Sequence, residues 1–206
     1  MKIDRLVVGP LKTNCYVLSE GTDCIVIDAG GSEEIIIDFL DREKLIPSFV
    51  LATHGHFDHI LSVSAIVSRY KTPFIVSEKE EKIMESFRQY TKTYVGFDPG
   101  PAPIPDRYFR REDSFKLGVG SLSVVETPGH TSGSCSFVLN DSLFTGDFVF
   151  NGSIGRTDFG GSYTEMSKSI EWAKELQRDY DIFPGHGDFT TLENEKRNNP
   201  FFNKVF

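Results

Sequence analysis

Between positions 54 and 59 the chain reads His54-Gly55-His56-Phe57-Asp58-His59, which puts three imidazoles and a carboxylate into six residues. Neutral imidazole and carboxylate are ligands for zinc and similar divalent cations. In an extended segment alternate side chains point the same way, so His54 and His56 can grip one ion. Asp58 and His59 fall at the turn into a predicted helix and can face a second ion beside the first. Three further ligand-type residues stand alone: His130 in Pro128-Gly129-His130-Thr131, Asp147 in Thr145-Gly146-Asp147, and His186 in Pro184-Gly185-His186-Gly187. Each lies on a glycine-containing loop just after a predicted strand. All five histidines of the chain occupy such loops. That clustering points to a metal site rather than to scattered core or surface imidazoles.

The elements that must position these residues are read from periodicity. Residues 3–8 alternate as a strand, and 14–18 with 24–28 read as a hairpin across 20–23. Ser32, followed by Glu33 and Glu34, opens a helix to about Lys44, and Pro47 stops it. Residues 49–53 form a short, wholly apolar strand that feeds the histidine-rich loop. Helices are expected over 60–70, 78–88 and 163–178, and strands over 74–77, 114–117, 122–127, 135–139, 142–144 and 181–183. Strands and helices thus appear in two groups that meet near residue 110, which predicts two packed sheets with helices outside, in one domain. Residues 96–106 hold four of the ten prolines, Pro99, Pro101, Pro103 and Pro105. They read as an extended path, either a surface excursion or a semi-rigid rim beside the site.

Composition narrows the function classes. The 206 residues carry 22 Lys plus Arg against 30 Asp plus Glu, a net charge of −8. An acidic chain without clustered cations is poorly built for nucleic-acid phosphates, so no nucleic-acid partner is expected. The apolar runs fall well short of the ~18 residues of a membrane span. Residues 1–20 lack a charged head, a long apolar middle and a small-residue cleavage site, so cytoplasmic residence is expected. Cys15, Cys24 and Cys135 form no CxxC pair, in keeping with a reducing compartment. The predicted hairpin places Cys15 opposite about Ile27, so Cys15 and Cys24 are expected to be buried filler rather than a disulfide. The remaining partner is a small-molecule substrate, and the sequence carries no signal for an oligomeric state. Asp28 is read either as a partner that orients a metal-bound histidine or as a turn residue before Gly30-Gly31. Arg156 is read either as a contact for an anionic substrate or as a loop residue, and Arg107, Arg110 and Arg111 as a solvated basic patch.

The hexad His54–His59, with Gly129-His130-Thr131, Gly146-Asp147 and Gly185-His186-Gly187 in that order, resembles the metallo-β-lactamase superfamily of binuclear metallohydrolases. The resemblance implies an α+β fold, a four-layer αββα sandwich of two mixed sheets with helices outside. It also implies that His54, His56 and His130 bind one ion, that Asp58, His59 and His186 bind the other, and that Asp147 bridges both. Within the superfamily the chain looks most like glyoxalase II (hydroxyacylglutathione hydrolase) and its short relatives. That likeness rests on Pro10-Leu11-Lys12-Thr13-Asn14-Cys15-Tyr16, Asp28-Ala29-Gly30, Ser153-Ile154-Gly155-Arg156-Thr157-Asp158 and Asn199-Pro200-Phe201. The helical C-terminal region of full-length glyoxalase II has no counterpart in the twenty residues after His186, so weak recognition of glutathione is expected.

The implied chemistry is hydrolysis of a small acyl thioester such as S-lactoylglutathione. Two divalent ions ~3.5–4 Å apart hold a bridging water and bring its pKa towards ~7. The resulting hydroxide attacks a polarised carbonyl and a thiolate leaves. Asp58 and Asp147 are the candidate catalytic residues, Asp58 by aiming the nucleophile and Asp147 by bridging. Zinc is the first expectation for the ions, with iron and manganese compatible with the same donors. Alternatives on the same scaffold are a mononuclear-iron persulfide dioxygenase and a lactonase or β-lactamase.

Overall fold

The computed structural model describes residues 1–110, 113–118 and 120–203. Six strands build the first sheet: β1 (Lys2–Val8), β2 (Thr13–Glu20), β3 (Asp23–Ile27), β4 (Ile46–Leu51), β5 (Phe74–Val76) and β6 (Arg107–Tyr108). They lie side by side in that order. β1, β2 and β3 pair antiparallel, and β3 through β6 pair parallel. The second sheet takes β7 (Ser114–Leu117), β8 (Gly120–Glu126), β9 (Cys135–Leu139) and β10 (Ser142–Gly146) as an antiparallel meander. β11 (Val149–Phe150) and β12 (Ser153–Ile154) form a small separate hairpin. β13 (Asp181–Pro184) runs parallel to β10, and β14 (Thr190–Thr191) closes that edge. The helices are α1 (Glu33–Glu43), α2 (Phe57–Ile60), α3 (Val63–Tyr70), α4 (Glu81–Met84), α5 (Phe87–Val95), α6 (Tyr163–Glu175) and α7 (Leu192–Asn198).

Strand alternation makes the layers. In β2, Cys15 and Val17 turn towards α1 and α3 and join Ile36, Leu40 and Ile66 in one apolar cluster. The neighbouring Tyr16 and Leu18 turn the other way and meet Phe115, Phe137 and Phe144 of the second sheet. A third cluster, with Met166 and Ile170 of α6, Leu192 of α7 and Ile182 of β13, covers the outer face of the second sheet. Three apolar interfaces separate four layers, helix, sheet, sheet, helix, and both sheets are mixed. This is the expected αββα sandwich, with the sheets dividing near residue 110.

Several local expectations shift. The β2–β3 register pairs Tyr16, not Cys15, with Ile27, and Cys24 lies opposite Ser19. Cys15, Cys24 and Cys135 are free and buried. Pro47 does not stop α1, which ends when Lys44 turns left-handed (φ 56). It lies within β4 at a register shift, where a residue without an N–H is tolerated. The helix expected over 60–70 breaks at Leu61 and Ser62, where the Ser62 N–H bonds to the Ala29 carbonyl at 2.9 Å. The helix expected over 78–88 is a 3-10 turn, Glu78–Glu80, followed by α4 and α5. β6, β11, β12, β14 and α7 were not foreseen; the four strands are only two residues long, and α7 has no long apolar face. The proline segment lies beside α3 in a cleft with Val63 and Val67. Arg107 pairs with Asp113 at 2.6 Å, whereas Arg111 lies outside the described residues. Among the described residues no helix is long and apolar enough to cross a membrane.

Candidate metal centre

Each ligand-type residue follows the carboxyl end of a strand: His54–His59 after β4, His130 after β8, Asp147 after β10 and His186 after β13. β4 is central in the first sheet, and β10 and β13 are adjacent in the second. Layering the sheets therefore brings the strand ends together. The structure places all seven sequence-predicted residues at one site. His54, His56 and His130 form one group of converging donor atoms, and Asp58, His59 and His186 another. His54, His59 and Asp147 form a third group that links the two.

Hydrogen bonding orients the rings. His56 Nε2 bonds to the Phe159 carbonyl at 3.0 Å, and His130 Nδ1 to the Arg156 carbonyl at 2.7 Å. A carbonyl only accepts, so each of those nitrogens carries the proton. The opposite nitrogens, His56 Nδ1 and His130 Nε2, are then lone pairs, and they face one another at 2.8 Å. His54 Nε2 lies 3.1 Å from the same His56 Nδ1, while its Nδ1 meets the Thr53 hydroxyl at 3.1 Å. Converging lone pairs without a proton between them repel unless a cation takes them. Across the site, Asp147 Oδ1 is buried with no hydrogen-bond partner, 3.3 Å from His59 Nε2. An orphaned buried carboxylate oxygen and crowded imidazole lone pairs are what a divalent ion would satisfy. The residues present fit such ions.

The second group is richer in carboxylate. His186 Nε2 stands 3.2 Å from Asp58 Oδ2 and 3.7 Å from Asp147 Oδ2. His59 Nδ1 lies 3.0 Å from Asp28 Oδ2, and the Asp28 carboxylate also accepts from the Thr53 N–H at 2.7 Å and the Thr53 hydroxyl at 2.8 Å. Asp28 thus faces a histidine of the cluster and is also a turn residue with φ 57. Gly185 has no room for a side chain, because a Cβ there would lie 2.4 Å from Asp147 Oδ1.

Burial and neighbours push the imidazoles in opposite directions. Burial and the surrounding imidazoles hold His54 well below the ordinary histidine value. Burial, aided by His130, pushes His56 down to about 4. Burial also disfavours the cation at His59, but Asp147, Asp28 and Asp58 overcome it and hold the pKa well above the ordinary value. His186 is raised too, its burial outweighed by Asp58 and Asp147. Asp58 and Asp147 are lowered, because nearby imidazolium charge outweighs their burial.

Other residues of the site are silent in the sequence as chemistry. The Asn14 N–H donates to the Gly185 carbonyl at 2.7 Å, and its amide donates to the carbonyls of Pro184 and Gly187, both at 2.9 Å. The Tyr16 hydroxyl also donates to the Pro184 carbonyl, at 2.6 Å. The Thr13-Asn14-Cys15-Tyr16 stretch therefore latches the loop that carries His186. Outside the donor clusters and the cleft, buried Glu195 and Asn199 bond to one another and tie α7 to the β11–β12 hairpin through Gly152 and Ser153. Above the cluster opens a cleft of about 250 Å³, walled by Leu11, Phe57, Tyr94 and Phe159. Tyr90 packs behind Phe159 at 4.6 Å between ring centroids, the rings tilted by 34°. Arg156 reaches the same cleft, paired with Asp158 at 2.7 Å. None of the four prolines of 96–106 lines it. The Cys135 Sγ points instead at the Thr53 carbonyl, 3.4 Å away. A larger cleft, about 680 Å³ and lined by Arg107, Tyr108 and Asp113, shares none of these groups.

A family model described as Metallo-beta-lactamase superfamily matches residues 8–186. A hydroxyacylglutathione hydrolase, GloC, of Haemophilus influenzae is 33% identical over 98% of this chain and 99% of its own length. The BLEG-1 B3 metallo-beta-lactamase superposes with a TM-score of 0.89 at 34% identity, covering 98% of this chain and 100% of that one. TTHA1623 in a di-iron-bound form gives 0.88 at 29% identity, covering 96% and 99%. With the strand-end histidines, the carboxylates between them and the αββα layers all in place, this chain belongs to the metallo-beta-lactamase superfamily of metal-dependent hydrolases.

Proposed function

We propose that the protein is a binuclear metal-dependent hydrolase of small acyl thioesters, in the short glyoxalase II-like branch of its superfamily. The observation that carries this reading is the pair of donor clusters joined through Asp147 beneath an aromatic-walled cleft. The likeness to a relative named as a hydroxyacylglutathione hydrolase supports the thioester. His54, His56 and His130 would hold one ion, Asp58, His59 and His186 the other, and Asp147 both. Zinc suits these donors, as do iron and manganese. Such ions supply a Lewis acid and a water acidic enough to attack at neutral pH.

The chain's own residues do the rest. Asp58 accepts a hydrogen bond from the attacking water and aims it at the acyl carbon. Asp28 keeps the His59 ring turned inward, and Asn14 and Tyr16 do the same for the His186 loop. Phe57, Tyr94 and Phe159 pack against the apolar part of the substrate and keep bulk water off the reacting carbonyl. Water adds to the carbonyl carbon, and the C–S bond breaks as the carbonyl re-forms to give the carboxylate. The protons of the water pass to the departing sulfur and to solvent. The sulfur leaves with little help from an acid, because thiols are far more acidic than alcohols.

The test is thiol release, measured without oxygen on protein of known metal content. S-Lactoylglutathione and an aryl thioester of the same thiol serve as substrates. Release of thiol with about two metal equivalents per chain is expected. Oxygen uptake with glutathione persulfide, one iron per chain and no thiol release would replace the hydrolase by the dioxygenase alternative.

A further inference from the structure

A third carboxylate stands behind the site, and the chemistry above does not use it. Glu80 is wholly buried at the end of the 3-10 turn that follows β5. Its Oε2 accepts the Gly55 N–H at 2.7 Å. Its Oε1 accepts the Gly133 N–H at 2.6 Å and the Thr131 hydroxyl at 2.8 Å. All three donors are uncharged. Gly55 separates His54 from His56, and Thr131 adjoins His130. One carboxylate therefore ties together the two loops whose imidazole lone pairs converge at 2.8 Å. Contact is tight on the Gly55 side, where a Cβ would lie 2.9 Å from Met84 Cγ and 3.2 Å from Glu80 Oε2. An anion buried without a countercharge is costly, so its placement behind a cation-seeking cluster calls for a reason. A cation held by the three imidazoles would supply the missing positive charge.

We propose that Glu80 is a positioning residue that fixes the separation of His56 and His130 and so sets the metal affinity of the three-imidazole group. The inference rests on the metal-binding part of the proposed function. It does not depend on the substrate. A carboxylate is required because three donors arrive and none is accepted in return. Glutamine offers one acceptor and one NH₂, so in either orientation the Gly55 or the Gly133 N–H meets another donor.

The experiment is chelator competition on the zinc-loaded full chain, comparing wild type with Glu80→Gln and Glu195→Gln. Glu195 is the matched control. It is equally buried and accepts from Gly152, Thr190 and Asn199, none of them beside a histidine. Glu80→Gln should weaken one zinc equivalent about tenfold or more and spare the other. Glu195→Gln should lower the melting temperature and leave both zinc constants alone. Should Glu80→Gln not fold, Thr131→Val removes a single donor and must show a smaller shift in the same equivalent. Unchanged zinc constants in the folded variant, or equal weakening of both equivalents, overturn the proposal. Wild-type protein that binds no zinc, iron or manganese overturns the metal reading itself.

Discussion

The two sides of the site are made from similar parts and behave oppositely. On the side of His54, His56 and His130, imidazoles crowd one another, and burial holds His54 and His56 below the ordinary histidine value. On the side of His59 and His186, the carboxylates of Asp28, Asp58 and Asp147 hold the imidazoles above it. The lowered values leave His54 and His56 without a proton to shed when a cation arrives. On the second side the raised values favour protons on His59 and His186, which a cation has to compete with. A site that looks like one cluster of histidines is thus two, with different proton costs for filling them. Asp147 touches both, at 3.5 Å from His130 Nε2 and 3.3 Å from His59 Nε2.

The largest expected effect is removal of that shared carboxylate. Asp147→Ala should cut metal occupancy and thioesterase rate together by more than about a hundredfold. Rate per folded, metal-loaded molecule is the decisive quantity, and near-normal turnover would refute a bridging role. Asp28→Asn should discriminate between the sides. Asp28 faces His59 directly but reaches His54 only through the Thr53 hydroxyl, so the substitution should weaken the equivalent held with His59 the more, by about ten- to a hundredfold in chelator competition. Equal weakening of both equivalents would erase the distinction between the two sides.

Acid sharpens the same contrast in chelator-stripped protein. An unfolded histidine titrates near ~6.5, whereas folded His56 is pushed down to about 4. Between those values the unfolded chain binds a proton that the folded chain refuses, so this contribution to stability falls as pH drops through the window. His59 and His186 act with the opposite sign, because their folded values are raised. Their contribution is fully present below ~6.5 and is lost as pH rises through the folded values. Melting temperature against pH should therefore lose part of its acid-side slope in His56→Ala and part of its alkaline-side slope in His186→Ala. Identical profiles for the two variants would break the comparison. The smallest effect expected is at the cleft wall. Tyr94 is 59% exposed, so Tyr94→Ala should leave folding unchanged. It should raise KM for an aryl thioester about fivefold with kcat nearly constant, the equivalent of ~1 kcal/mol of lost aromatic packing.

The ligand-type residues were legible because their spacing is local: a hexad after an apolar strand, then single residues on glycine loops. The layers were legible because short apolar runs such as 15–18 and 135–139, bounded by turn residues, read as buried strands. Glu80 was not. It lies in Glu78-Lys79-Glu80-Glu81, where every residue has the composition of a solvated helix face. Only the Ser77-capped 3-10 turn points this one glutamate inward. The aromatic wall escaped for a related reason. Phe57, Tyr94 and Phe159 come from α2, α5 and the loop before α6, and nothing short of the tertiary fold brings them together. The hairpin register slipped by one residue because a turn of four polar and glycine residues leaves the closing pair open.

The latch between Asn14 and the His186 loop has a consequence in time. Asn14 and Pro184 are 170 residues apart in sequence. The loop closure that joins them is among the longest the chain has to make, and contacts of such separation form late in folding. His186 is therefore not latched in place until the first hairpin has found the end of β13. A partly folded chain would own the hexad and still lack a complete site, so competence to bind metal through His186 would become a report that folding has finished. In refolding from denaturant, secondary structure should return first and uptake of the second metal equivalent last. Asn14→Ala should delay that final phase more than it delays the recovery of helix and strand.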